Sequence, residues 1–254
     1  MQEAPFDFTG KVALVTGGSR GIGATIAAAL AERGARVIIC GRKQENLDSA
    51  THHFREQGLE VTGVAANVGH PEQVEKLLAT VEEAFGRLDI LVNNVGMNIL
   101  TPSVAEAEEA LWNKILQTNL NGTFLVTRAG VGLMKKSGGG KIINMSSVAA
   151  RKATPGMGIY CVAKAAVDML TRVLAVELAE DHIQVNGVAP AMVRTSFSKP
   201  FWSNEGLLKE ISRKIPMGRI AEPEDVTGAV LFLASALSRF VTGEILTVDG
   251  GSLA

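Results

Sequence analysis

A chain of 254 residues, 46% of them hydrophobic and 20% charged, is long enough to bury a large core and too apolar to remain disordered. A formal net charge of −1 with no basic block argues against a nucleic-acid binder or a membrane-surface protein. Two cysteines, Cys40 and Cys161, make neither a disulfide framework nor a metal cluster, and both read as buried thiols of a soluble, cytoplasmic protein.

The first eleven residues are polar and acidic and lack the apolar core of a signal peptide, and no later apolar run reaches membrane-spanning length. From there short β-branched runs alternate with amphipathic stretches. Strands are expected at 12–16, 36–40, 61–65, 90–93, 141–145, 184–189 and 245–248. Helices are expected at 21–33, 44–57, 72–85, 108–136, 160–179 and 223–234, with Ser137-Gly138-Gly139-Gly140 as a helix stop. Continuous apolar strands between helices predict one α/β domain over 1–254, a doubly wound seven-stranded parallel sheet covered on both faces. Residues 192–216 carry no strand signal and mix aromatic with basic side chains, as expected of a lid.

Thr16-Gly17-Gly18-Ser19-Arg20-Gly21-Ile22-Gly23 follows the first strand and opens the first helix. Glycines there permit a tight turn and let the backbone approach a pyrophosphate resting on the helix N-terminus, so a dinucleotide site is expected in this context, with an ordinary strand–helix turn as the alternative. After the second strand no carboxylate lies between Arg33 and Gln44 to accept from ribose hydroxyls. Arg42, with Arg20, suits an additional phosphate instead, so NADP(H) is expected in preference to NAD(H); the alternative for Arg42 is a solvated surface arginine.

Asn93-Asn94-Val95-Gly96 closes the fourth strand, where glycine lets the chain pass close to a cofactor and the asparagines tie strand ends together. Asn119 falls inside the fourth predicted helix, where asparagine is a mediocre former and serves a kink or a water. Tyr160, the only tyrosine, stands thirteen residues after Ser147 and one helical turn before Lys164. An ammonium on the same face favours the phenolate, and so is expected to hold the tyrosine pKa below its free value near 10. A serine hydroxyl within reach then holds the oxygen of a carbonyl or alcohol whose proton the tyrosine handles. His52, His53, His70 and His182 match no metal-ligand spacing, and no metal is expected.

Together these motifs resemble the common short subclass of the short-chain dehydrogenase/reductase family, from Lys11 to Gly251. Val185-Asn186-Gly187-Val188-Ala189-Pro190, Pro216-Met217-Gly218-Arg219 and Asp249-Gly250-Gly251 extend the likeness. The resemblance implies Tyr160 as general acid in reduction and base in oxidation, and Lys164 bonding the nicotinamide ribose. It further implies Ser147 orienting the substrate oxygen and Asn119 holding a relay water. Cofactor contacts are implied for Gly17, Ser19, Arg20, Gly21, Ile22, Gly23, Arg42, Asn67, Val68, Asn94, Gly96, Pro190, Val193 and Thr195. Asn67-Val68 stands where the family has aspartate-valine, Val95 replaces its usual alanine and Ala191 its usual glycine.

The expected activity is NADP(H)-dependent interconversion of a ketone and a secondary alcohol. Phe197, Phe201 and Trp202 in the lid favour a bulky, fairly apolar carbonyl substrate, unless they pack against a neighbouring subunit. A β-ketoacyl carrier-protein reductase is a competing reading, but Val131 and Asp181 occupy the places of the arginines that dock the acidic carrier. A cofactor-binding regulator without catalysis is the other. Apolar positions Leu116, Leu120, Phe124, Val162, Val167 and Leu170 exceed one buried stripe on two helices and imply a homotetramer, at minimum a homodimer.

Overall fold

The computed structural model describes residues 6–254, so residues 1–5 of the polar leader lie outside the described residues. Seven strands form one parallel sheet: β1 Val12–Thr16, β2 Arg36–Gly41, β3 Val61–Ala65, β4 Ile90–Asn93, β5 Gly140–Met145, β6 Ile183–Pro190 and β7 Ile245–Val248. Their spatial order is β3-β2-β1-β4-β5-β6-β7, the doubly wound, Rossmann-type arrangement expected from the sequence. Strand order reverses between β1 and β4, and ligands of such sheets bind beyond the carboxyl ends of the strands at that point.

Strand side chains alternate between the two faces with the period of two that a pleated strand imposes. Ala13, Val15, Val37 and Ile39 join one core with Ile26 and Leu30 of α1 (Gly21–Ala31), Leu47 and Phe54 of α2 (Gln44–Glu56), and Val226 and Val230 of α9 (Pro223–Ala234). Val12, Leu14, Ile38 and Cys40 join the opposite core with Val74, Leu77 and Val81 of α3 (Pro71–Phe85). Both faces are covered, which is why the central strands read as continuous apolar runs.

The expected helix over 108–136 is not continuous. It comprises α4 (Glu109–Leu116), a π-helical turn at Gln117–Asn121 and α5 (Gly122–Lys136). The expected helix over 160–179 is α6, Gly158–Glu177. Within the lid stretch Val193 pairs with Ala221 in an isolated parallel bridge, and two short helices follow, α7 (Lys199–Trp202) and α8 (Glu205–Arg213). Of the positions expected to supply a subunit interface, Val167 is a correction: it is 1% exposed, packed inside the protein. Phe124 and Val162 are exposed, and α6 adds Met169, Val173 and Val176 to the outward face. Cys40 is buried as expected, whereas Cys161 is only half-buried. Among the described residues no helix is long and apolar enough to cross a membrane.

Candidate active site

The glycine-rich turn lies at the reversal of strand order and is stitched there by its own polar groups. Asn94 Nδ2 donates to the carbonyls of Thr16 (3.0 Å) and Gly17 (3.3 Å), and the Asn94 and Val95 amides donate to Thr16 Oγ1. Asn94 thus ties the end of β4 to the end of β1. Gly17 adopts a left-handed conformation (φ 66°), which a side chain would strain. At Gly23 a Cβ would stand 2.4 Å from the Gly17 carbonyl oxygen, so this glycine is what allows α1 to start so close to β1.

No side chain caps the N-terminus of α1, leaving its first amides available to an anion. Around it stand Ser19, Arg20, Gly21 and Ile22. Arg20 and Arg42 are both exposed, and among the described residues neither enters an ion pair. Asn67 is engaged locally: its amide donates to Gln73 Oε1 and its Oδ1 accepts from the Gly69 amide. Val68 points its side chain into the core against Gly122, so only its backbone can face a cofactor. Thr195, from the lid, lies over Gly21, and its amide donates to Ser198 Oγ at 3.2 Å. Val193 is buried, with its carbonyl accepting from Ser198 Oγ, and Pro190 ends β6. A left-handed glycine turn, an uncapped helix start and two unpaired guanidiniums fit a phosphorylated dinucleotide.

The second half of the site is built by the ends of β4 and β5 with α6 and the π turn. Ser147 follows β5 and caps a 3-10 turn (Val148–Ala150), its Oγ accepting from the Ala149 amide at 3.1 Å. Tyr160 and Lys164 share one face of α6 and are 7% and 3% exposed. Lys164 Nζ donates to the Met145 carbonyl at 2.7 Å and lies 5.6 Å from the centroid of the Tyr160 ring. Gly96 lies between Lys164 and Asn119. The widened π turn carries the Asn119 side chain, which is fully buried and donates to the carbonyls of Met97 (2.9 Å) and Ile115 (2.8 Å). Asn119 Oδ1 also accepts from the Met97 amide (3.2 Å), so this asparagine fixes the chain beyond β4 to the helix.

Electrostatics correct one expectation. Burial pushes the Tyr160 phenol up to about 12, with the Ser147 hydrogen bond opposing and Cys161 adding to the rise. Burial likewise pulls the Lys164 ammonium down to about 8, opposed by the Asp168 charge. The phenol is not held below 10, because desolvation outweighs the Ser147 hydrogen bond that favours the phenolate.

The lid contributes unequally. Phe197 is half exposed, and its ring centroid stands 6.2 Å from that of Tyr160. Trp202 points back into its own segment: Nε1 donates to the Thr195 carbonyl (3.0 Å), and the Arg194 guanidinium lies 5.2 Å from the ring centroid. Arg194 in turn pairs with Glu222 at 2.9 Å. In the chain after β4, the Thr101 amide donates to the Gly156 carbonyl (2.9 Å), and Leu100 and Val104 lie against Gly156 and Gly158. The residues that sequence reasoning missed are Ser146, Arg151 and Asp168. Asp168 had a visible signal, as an acid one turn past Lys164 on the helical face that carries Tyr160.

The assembled geometry agrees with known proteins over nearly the whole chain. A family model described as Enoyl-(Acyl carrier protein) reductase matches residues 17–252. Dehydrogenase/reductase SDR family member 4 of Bos taurus is 42% identical over 243 residues, covering 96% of this chain and 87% of the relative. A tropinone reductase homolog of Arabidopsis thaliana is 39% identical over 247 residues, covering 97% of this chain and 93% of the relative. The crystal structure of a gluconate 5-dehydrogenase from Burkholderia cenocepacia, in complex with NADP and tartrate, superposes with a TM-score of 0.93 at 36% identity, covering 98% of this chain and 97% of the other. With the fold, the glycine-rich turn and these relatives in agreement, the chain belongs to the short-chain dehydrogenase/reductase family of oxidoreductases.

Proposed function

We propose that the protein is an NADP(H)-dependent oxidoreductase that interconverts a ketone and a secondary alcohol, with a fairly apolar carbonyl compound as substrate. The observation that carries this reading is that Tyr160, with Ser147 hydrogen-bonded to it and Lys164 one turn away, is joined to the glycine-rich turn through Asn94–Gly96, which meets Gly17 at one end and Lys164 at the other. Nicotinamide, when bound, supplies or accepts the hydride. The Ser147 hydroxyl donates to the substrate oxygen and orients it, and Tyr160 gives that oxygen a proton in reduction and removes it in oxidation. Lys164, with a pKa of about 8, is still mostly an ammonium at neutral pH and favours negative charge on the phenol oxygen. Asn119 holds Met97 and Gly96 in place, leaving room at Gly96 for a cofactor to pass.

Arg20 and Arg42 are the groups for the additional phosphate of NADP(H), with NAD(H) as the weaker partner. Phe197 beside Tyr160, together with Leu100 and Val104, offers an apolar wall to the substrate. A carrier-bound thioester is disfavoured: Asp181 is ion-paired to Lys135 at 2.7 Å and Val131 is half-buried, so neither position offers a cation to an acidic carrier. The whole chain acts as one cytoplasmic domain, and the outward apolar residues of α5 and α6 pair subunits into a homotetramer, or at minimum a homodimer.

The test is a panel of cyclohexanone, acetophenone, a long-chain methyl ketone and fructose, with the corresponding alcohols, followed by nicotinamide absorbance with each cofactor. Apolar ketones with NADPH are expected to turn over best, and Tyr160→Phe to lower kcat by at least about 100-fold. A silent panel, or near-normal turnover by Tyr160→Phe, overturns the mechanism. Light scattering that returns the 26.8 kDa chain mass overturns the assembly.

A further inference from the structure

Asp168 continues the face of α6 that carries Tyr160 and Lys164, one further turn along, and the chemistry above gives it no role. It is 5% exposed, and a buried carboxylate is costly unless paired and hydrogen-bonded. The other strongly buried aspartate, Asp89, is explained by Arg87, Lys11 and the Val12 amide. Asp168 is held quite differently. Its Oδ1 accepts from Ser146 Oγ, on the residue between Met145, which receives the Lys164 ammonium, and Ser147. Its Oδ2 lies 3.9 Å from Arg151 Nε, and the same guanidinium reaches Thr247 Oγ1 (2.5 Å) and the Ile245 carbonyl (2.9 Å) on β7.

We propose that Asp168 is a positioning residue for the reaction: its carboxylate pins the Ser146-Ser147 strand end to α6 and keeps Lys164 charged, with Arg151 tuning how much negative charge the lysine feels. The proposal rests on the reading of Ser147, Tyr160 and Lys164 given above. The ionisable and charged groups around Lys164 are few. Tyr160, Cys161 and Asp168 stand on its own helix, and Arg151 comes from the 3-10 turn after β5. The π turn and the chain after β4 bring Asn119 and Gly96, both neutral, and α4 packs Ile115 against Ile159 and Ala163. The strand β6 beside α6 is apolar or amide along its length. Asp168 is therefore the carboxylate that opposes desolvation of the lysine.

The test is the pH dependence of kcat/KM for reduction of the best ketone in the panel, measured on the full chain beside Tyr160→Phe, with thermal melting as a control. Asp168→Asn keeps an acceptor for Ser146 but removes the charge. Its alkaline limb is expected to move down by about one pH unit, an about tenfold loss at pH values above the limb, with the acidic plateau within about threefold of the parent. Arg151→Met removes the competing cation and is expected to move the limb the other way, to higher pH. Opposite shifts from the two variants are not what a general loosening of the site produces. If Tyr160→Phe retains turnover, the reading beneath the proposal fails and the proposal falls with it. If Tyr160→Phe is inactive while Asp168→Asn loses rate uniformly with an unmoved limb, Asp168 is structural only and the proposal alone is overturned. Should Asp168→Asn not fold, Arg151→Met decides: an upward shift supports the proposal, and an unmoved or lowered limb overturns it.

Discussion

Tyr160 is the only phenol in the chain, so alkaline phenolate absorbance reports one group in one environment. Burial holds its proton until about 12 rather than 10, about two units or ~3 kcal/mol in favour of the neutral form. Lys164 offers no relief in that range, because it loses its own proton near 8 and is neutral by the time the phenol titrates. The cofactor-free protein is therefore expected to show a phenolate midpoint well above that of the urea-unfolded chain, read by rapid mixing before the fold is lost. Lys164→Met should leave that midpoint within about half a unit, since only a charged lysine would lower it. Linkage fixes the sign for stability. The unfolded phenol ionises near 10 while the folded one stays protonated, so stability present below pH 10 is lost as pH rises through 12, by up to ~3 kcal/mol. Lys164 acts oppositely: its depressed pKa penalises the folded state below pH 8, and the penalty lifts between about 8 and 10.5. A midpoint at or below that of the unfolded chain would refute the claim that desolvation dominates this site.

Three other outcomes are expected. In Gly41→Asp the new Cβ would stand 3.6 Å from Leu47 and 3.7 Å from Ser19, ordinary contacts, so the variant should fold. Its carboxylate beside Arg20 and Arg42 should reverse the cofactor preference, forfeiting phosphate contacts of about 2–4 kcal/mol, and an unchanged ratio of kcat/KM for NADPH and NADH would count against those arginines. Gly23→Ala forces a Cβ to 2.4 Å from the Gly17 carbonyl and 2.5 Å from Asn94, so urea unfolding should show a loss of about 1–3 kcal/mol, and parental stability would mean that the turn yields easily. Phe197→Ala should raise KM for acetophenone more than for cyclohexanone, whereas Trp202→Ala, which frees the Thr195 carbonyl, should weaken NADPH and both ketones alike; the reverse pattern would place Trp202 against substrate.

Much of the architecture was legible because local and global preferences agree. The runs at 12–16, 61–65, 90–93 and 245–248 are strands with those bounds, since β-branched residues are concentrated there and glycine, asparagine or polar residues follow within two positions. The pairing of Tyr160 with Lys164 was legible because a spacing of four fixes a shared helical face. What surrounds that face was not. Periodicity says nothing about depth, so the desolvation that raises the phenol and lowers the lysine was hidden, and Val167 could not be told from Val162 although one is buried and the other exposed. Nor does spacing reveal long-range partners: Arg151 reaches β7 across ninety-six residues of sequence. In the lid, α7 spans only four residues and shows no repeating pattern, whereas Leu207, Leu208 and Ile211 of α8 do share a helical face, and its start depends on Asn204 accepting from the Leu207 amide.

The π turn at Gln117–Asn121 gives this helix a seam. An α-helix advances about 100° per residue, so one residue added or removed elsewhere would swing everything beyond it off the sheet. A π turn already holds one residue more than α geometry needs, and losing one there would let the backbone close into an ordinary helix with Leu125, Val126, Leu133 and Met134 still facing the core. The packing of α5 and the placement of Asn119 are therefore separable by a single deletion. A shortened chain of that kind should keep its melting behaviour and lose the tether that fixes Met97, and with it the neighbouring Gly96 beside the lysine, so the extra residue serves the site at little expense to the scaffold.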